Sequence, residues 1–177
     1  MPGGDKGYGG AAKLLHWTSA LLVLGLLAAG LWMTGLPFGR LKLVAYAWHK
    51  WIGLTVLALA LVRIAWRLRT PPPALPAALA PWEKRLAPLG HWLLLVLVLA
   101  QPVCGWLMSS AGGVAVIWFG VLPLPDLVPR DQGLFAALRT LHAILAYALI
   151  GVIALHIAAV LRHDLLRRDG ILRRMWF

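Results

Sequence analysis

The sequence predicts an all-α integral membrane protein, a four-helix bundle formed by one domain over residues 1–177. Three observations predict it. Four apolar stretches, at about 14–33, 48–66, 91–108 and 138–161, each approach the ~20 residues that cross a bilayer. Hydrophobic residues make up 61% of the chain and charged residues 13%, about half the share of a soluble domain. Tryptophans bracket three of the stretches, as Trp17 and Trp32, Trp48 and Trp66, and Trp92 and Trp106, where interfacial anchors belong.

The first stretch is too long for the apolar region of a signal peptide and has no clean small-x-small site followed by a soluble domain, so it is read as a span. The second ends in a run of arginines. The connection 70–88 carries Pro71, Pro72, Pro73, Pro76, Pro81 and Pro88 and is expected to form an extended strap. The third span contains Gln101-Pro102, where proline frees a backbone carbonyl and kinks the helix. The connection 112–129 holds an apolar piece, 114–122, with Trp118 and Phe119. It is too short to span and is expected to lie on the outer interface or cap the bundle. No internal repeat is present at a solenoid period.

The net charge of +11 needs no nucleic acid. Twelve basic residues fall on the side of the termini and the second connection, and five, Arg40, Lys42, Lys50, Arg130 and Arg139, on the other. The positive-inside rule then places both termini in the cytoplasm. The single cysteine, Cys104, excludes an intrachain disulfide and a Cys-x-x-Cys-His haem attachment. A bound haem would be b-type, held by axial ligands and packing.

Haem enters through the histidines. His142 and His156 are fourteen residues apart on the fourth span, which is ~21 Å of helix with a return to nearly the same face. Imidazoles at two depths in a bilayer need partners. Depth matches His142 with His49 at the outer side, and His156 with either His16 or His91 at the inner side. Two haems, each with two imidazoles and no open coordination position, satisfy these pairs and favour electron transfer. Gly53 and Gly151 would give the macrocycles room, and small residues also serve close helix packing. Lys50 and Arg139 outside, and Arg63 and Arg67 inside, are placed to meet haem propionates. A metal transporter also uses intramembrane histidine, commonly beside acidic ligands. Here all six acidic residues, Asp5, Glu83, Asp126, Asp131, Asp164 and Asp169, lie outside the apolar stretches, which disfavours a cation path. A scaffold role explains the helices but not histidines at matched depths.

The order of motifs resembles the bacterial cytochrome b561 family. Leu-His-Trp opens the first span, His-x-x-x-Gly opens the second and Val-Arg-x-x-x-Arg-Leu closes it. Leu-Gly-His-Trp opens the third, the fourth holds two histidines with thirteen residues between them, and the tail reads Asp169-Gly-Ile-Leu-Arg-Arg-Met. The resemblance implies a di-haem b cytochrome of the bacterial inner membrane that exchanges electrons with ubiquinone. It implies His16 and His156 on one iron and His49 and His142 on the other, leaving His91 and His163 free. With Asp164, those two histidines are candidates for a quinone site at the cytoplasmic side, where imidazole can donate, accept and exchange protons. One branch of the family oxidises superoxide at the periplasmic face, and the outer basic residues fit such an anionic donor, although Asp126 and Asp131 offset part of that charge. The alternative is a relay subunit passing electrons between quinone and a separate redox enzyme or a c-type cytochrome.

Overall fold

The computed structural model describes residues 7–75 and 79–177. Asp5, Pro76 and one of the twelve basic residues, Lys6, lie outside the described residues. Four long helices form, α1 (Gly10–Thr34), α2 (Arg40–Arg69), α3 (Pro81–Ala111) and α4 (Gln132–Leu161). Each is long and apolar enough to cross a membrane. Each also runs past its apolar stretch, because helix geometry continues into the polar headgroup layer once a helix has started. α4 runs on as a π-helical turn, Arg162–Arg167, and a 3-10 turn at Leu172–Arg174 closes the tail.

Local chemistry sets the helix ends. Asp131 caps α4, its carboxylate accepting from the Leu134 N–H at 2.8 Å. Lys42 donates to the carbonyls of Thr34 and Leu36, at 3.3 and 2.7 Å, which places a cation on the C-terminus of α1. The expected strap over 70–88 is shorter than predicted, since α3 begins at Pro81 and contains Pro88 and Pro102. Proline suits the first helical position, where its missing N–H would be unpaired anyway. Glu83 adds to this start by accepting from the Ala80 N–H at 2.9 Å.

The helices alternate in direction. The start of α1 meets the end of α2 at His16–Arg63, and the start of α3 meets the end of α4 at His91–His156. At the opposite end, the start of α2 meets the end of α1 at His49–Gly30, and the start of α4 meets the end of α3 at His142–Gly105. Halfway between, one buried residue from each helix, Val23, Val56, Leu97 and Leu149, packs into an apolar layer with flanking leucines and valines. Leu149 stands seven residues from His142 and seven from His156, so the layer separates the two histidine ends.

The connection after α3 contains a two-stranded antiparallel hairpin, β1 (Val116–Trp118) and β2 (Leu122–Leu124). The cap was expected but its strands were not, because each is only three residues long. Trp51 Nε1 donates to the Ile117 carbonyl at 2.6 Å, and Trp118 Nε1 to the Trp51 carbonyl at 3.1 Å. Phe119, at φ 49° in the turn, packs against Trp48 and Trp51, which holds a backbone conformation that costs a non-glycine residue of order 1 kcal/mol or more.

The opposite end is closed by the termini. The Tyr8 N–H donates to the Arg174 carbonyl at 3.0 Å, and Trp17 Nε1 to the Met175 carbonyl at 2.8 Å. Glu83, 6% exposed, bonds Arg162 at 2.7 Å and Arg167 at 2.6 Å. This ties the start of α3 to the turn after α4.

Candidate functional site

Two histidine groups stand at the two ends of the bundle. At the hairpin end, His49 of α2 and His142 of α4 face each other with ring centroids 6.5 Å apart. Two imidazoles on opposite sides of one metal, each nitrogen about 2.0–2.1 Å from it and each ring centre about 1 Å farther, stand with centroids about 6 Å apart. The Nδ1 atoms of both rings are buried with no hydrogen-bond partner among the described residues, although buried polar atoms are ordinarily paired. Glycine on a neighbouring helix makes room for each ring. A Cβ on Gly30 would sit 3.3 Å from His49 Cε1, and one on Gly105 would sit 3.1 Å from His142 Cε1. The spacing, the orphaned nitrogens and the two glycine cradles fit a pair of axial ligands.

His142 is also held by α3. Gln101 Nε2 donates to the His142 carbonyl at 3.1 Å and stands 3.2 Å from His142 Nε2. One turn earlier along α4, Cys104 Sγ is 3.5 Å from the Leu138 carbonyl.

At the end of the termini, three histidines gather. His91 and His156 touch edge to face, with centroids 5.6 Å apart, a direct ring contact tighter than that at the hairpin end. His16 lies in the electrostatic field of Arg63, His156 and His91. Its Nδ1 stands 3.3 Å from the Arg63 guanidinium. Arginine only donates, so Nδ1 accepts there.

The structure sorts the remaining sequence candidates. Lys50 is half-buried beside His49, and Arg139 is exposed one turn before His142. Arg63 is engaged with His16, and the Arg67 guanidinium stacks 4.9 Å from the Trp92 ring centre. A cleft of about 150 Å³ opens beside that stack, between Leu68, Pro71 and Pro72 on one wall and Trp92 and Leu95 on the other. His163 is not brought to His91. It is buried, with Nδ1 2.5 Å from Asp169 and Nε2 3.8 Å from Glu83. Asp164 follows it in the π-helical turn, partly exposed. A Cβ on Gly53 or Gly151 would meet open space.

Sequence reasoning missed Gly30, Gly105, Gln101 and the ionic partners of His163. For Gly105 and Gln101 a signal existed, since both lie on the same stripe of α3 one turn apart, but no rule of spacing names the histidine they serve. The donor set is arranged as pairs, and among the described residues no three His, Cys, Asp or Glu side chains gather to hold a metal ion. Two imidazoles complete an iron that already has four porphyrin nitrogens, so pairs suit haem.

Comparison with known proteins identifies the family. The family described as prokaryotic cytochrome b561 matches residues 7–177. The chain is 32% identical over 170 residues to cytochrome b561 homolog 2 of Escherichia coli (strain K12), covering 95% of this chain and 90% of that protein. It is 29% identical over 171 residues to the probable superoxide oxidase CybB of Yersinia pestis, covering 91% of this chain and 90% of that relative. Cytochrome b561 homolog 1 of E. coli is 26% identical over 162 residues, 91% of this chain and 92% of that protein. A bundle of four apolar helices with histidines paired across its ends, matched over nearly its whole length, belongs to the prokaryotic cytochrome b561 family, whose members are haem b membrane proteins of electron transfer.

Proposed function

We propose that this protein carries electrons one at a time across the bacterial inner membrane, from a periplasmic donor to ubiquinone, with both termini in the cytoplasm. The observation that supports it most is the pair of histidine groups at opposite ends of one bundle with an apolar layer between them. In this reading His49 and His142 hold one b haem at the hairpin end, and His16 and His156 hold a second at the end of the termini. The choice of His16 over His91 follows the order of motifs shared with the cytochrome b561 family, since His16, His91 and His156 gather at one end. Haem held by these histidines would supply a one-electron iron couple.

The chain's own groups do the rest. Lys50 and Arg139 provide positive charge for propionates at the hairpin end, and Arg63 does so at the other, exchanging its His16 contact for a carboxylate. The Val23, Val56, Leu97 and Leu149 layer keeps water and ions from crossing with the electron. Superoxide is the donor that the basic outer residues and the name of the Yersinia relative favour. Two superoxide anions then each lose one electron and leave as O₂, while one ubiquinone takes two electrons and two protons to become ubiquinol. Quinone enters by the cleft between α2 and α3, where Arg67 stacks on Trp92 beside His91. His91 donates to a quinone carbonyl, and Asp164 with His163, which is hydrogen-bonded to Asp169, forms the polar end of that site.

The test is haem content and quinone turnover in histidine variants of the purified protein. His16→Ala, His49→Ala, His142→Ala and His156→Ala are each expected to lose one haem by pyridine extract, while His91→Ala keeps both. His91→Ala is expected to stop ubiquinone reduction yet allow superoxide to bleach the oxidised spectrum. Loss of haem from His91→Ala with none from His16→Ala would reassign the inner pair. Quinone reduction at the parental rate in the His91→Ala, His163→Ala double variant would move the quinone site elsewhere.

A further inference from the structure

The apolar surface of α3 does not stop where its hydrophobic stretch does. That stretch begins near His91, yet α3 starts at Pro81, and Trp82, Leu86 and Leu89 in the extension are exposed. At about 100° per residue, Leu86 and Leu89 fall within about 40° of Trp82 on the helix surface. Leu93 and Val96, exposed on the same line, carry the stripe on into the span. The 31 residues of α3 make roughly 46 Å of helix, against about 40–45 Å for a bilayer with its headgroup layers. The extension therefore stands among headgroups, with an apolar stripe turned outward.

Arginines border that stripe on both sides. Arg162 arrives from the turn after α4, its guanidinium 5.8 Å from the Trp82 ring centre and bonded to Glu83 at 2.7 Å. A guanidinium has five N–H donors, and the Arg162 side chain is still 44% exposed, so donors remain for an anion. Arg85 stands about 60° round from Trp82, on the side away from Glu83. It is exposed and has no ion pair among the described residues. The nearby carboxylates do not cancel these cations. Glu83 gives both oxygens to Arg162 and Arg167, and Asp169 is held by His163. Asp164 falls two residues beyond Arg162, about half a turn round. We propose that Trp82, Leu86 and Leu89, between Arg85 and Arg162, form a binding site for one anionic phospholipid of the leaflet at the end of the termini. The stripe takes an acyl chain, in continuity with the lipid-facing surface of the span, and the two guanidinium groups take the phosphate. A lipid seated there joins the start of α3 to the turn after α4 from outside, as Glu83 does from within.

The test counts lipid on the full chain, purified in a neutral detergent. It is titrated with phosphatidylglycerol or with phosphatidylcholine, and bound lipid is read by native mass spectrometry. The expected result is that the parent prefers phosphatidylglycerol. Arg85→Gln and Arg162→Gln should each weaken that lipid about fivefold, the effect of one basic residue at a membrane surface, and leave phosphatidylcholine unchanged. Arg85→Lys, which keeps the charge, should keep the preference. Arg69→Gln is the control, an exposed cation at the end of α2 rather than beside the stripe, and should match the parent. Equal binding of the two lipids by the parent overturns the proposal, as does parental affinity in both Arg85→Gln and Arg162→Gln. An equal loss in Arg69→Gln also overturns it, since the charge would then act as a diffuse face and not as a site. Excess inorganic phosphate should not displace the lipid; displacement would mark an ion site that needs no acyl chain. A dimer of the parent that dissociates in the variants would give the stripe to a second copy of the chain instead. Arg162→Gln leaves Glu83 its bond to Arg167. Should it fail to fold, as read by the helical signal, Arg85→Gln against Arg85→Lys decides the matter.

Discussion

Replacing Gly105 by alanine is the most direct perturbation of the pair at the hairpin end. The added Cβ would lie 3.1 Å from His142 Cε1 and 3.5 Å from Nδ1. Carbon atoms settle at about 3.5–4.0 Å, so the ring must retreat by roughly half an ångström. It has little freedom to do so, because Gln101 holds the His142 carbonyl and faces Nε2. Overpacking of this kind costs about 1–3 kcal/mol. At 1.4 kcal/mol per factor of ten, haem at that end should bind about 5- to 150-fold more weakly.

The comparison is internal. Gly30→Ala, with its Cβ 3.3 Å from His49 Cε1, should show a smaller loss at the same site. Gly25→Ala, where a Cβ meets nothing within 4 Å, should be neutral. Alanine is also the better helix former by about 1 kcal/mol, so none of the three is expected to weaken its helix. Haem per polypeptide by pyridine extract, and haem transfer to apomyoglobin, measure the effect. Equal haem content and equal transfer rates in Gly105→Ala and Gly25→Ala would refute the reasoning that these glycines make room for ligand rings.

Three further outcomes are expected. A C-terminal alkaline phosphatase fusion should be inactive and a fluorescent-protein fusion bright; strong phosphatase activity would reverse the sides of the bundle. If superoxide is the donor, neutralising Arg40 and Arg139 together, or raising ionic strength, should slow its reduction of the haem at the hairpin end, since steering of an anion is screened by salt; Lys42 is left in place because it holds the end of α1, and a rate indifferent to both changes would point to a neutral donor. Glu83→Gln leaves Arg162 and Arg167 without their shared carboxylate, so the thermal midpoint of the helical signal should fall while the absorption of the haem at the hairpin end stays parental; an unchanged midpoint would show that the cluster adds nothing to the closure of that end.

The spans, their number and the alternation of their direction were readable from length and apolarity, because a bilayer permits little else for a chain of this composition. The His49–His142 approach was readable because depth along a spanning helix is fixed by residue count. The other end was not resolved by the same means. His16, His91 and His156 share one depth, and choosing among them needs the rotation of three helices about their axes, which packing sets and sequence spacing does not. The same limit hid Gly30 and Gly105, whose use depends on which neighbour's ring lies over them. The surroundings of His163 were hidden in a different way. Position alone groups it with His91, while Glu83 and Asp169 reach it from α3 and the tail, which counting depth along α4 does not show.

The two ends of the bundle differ in a way that follows from these contacts. At the hairpin end the rings of His49 and His142 rest on glycines and on an amide, with no charged side chain bonded to either imidazole among the described residues. At the other end an arginine faces His16, and a carboxylate–arginine–histidine cluster closes the bundle behind His156. Cationic groups near a redox centre favour its reduced form, since reduction adds negative charge. In the proposed ligation, Arg63 beside His16, with Arg67 one turn on, biases the haem of that end toward its reduced form. Replacing Arg63 by glutamine should remove much of that bias. The potential of the haem held by His16 and His156 should fall and that of the other should hold, as read by a spectroscopic redox titration. A titration in which both potentials match the parent would show that this arginine does not tune that haem.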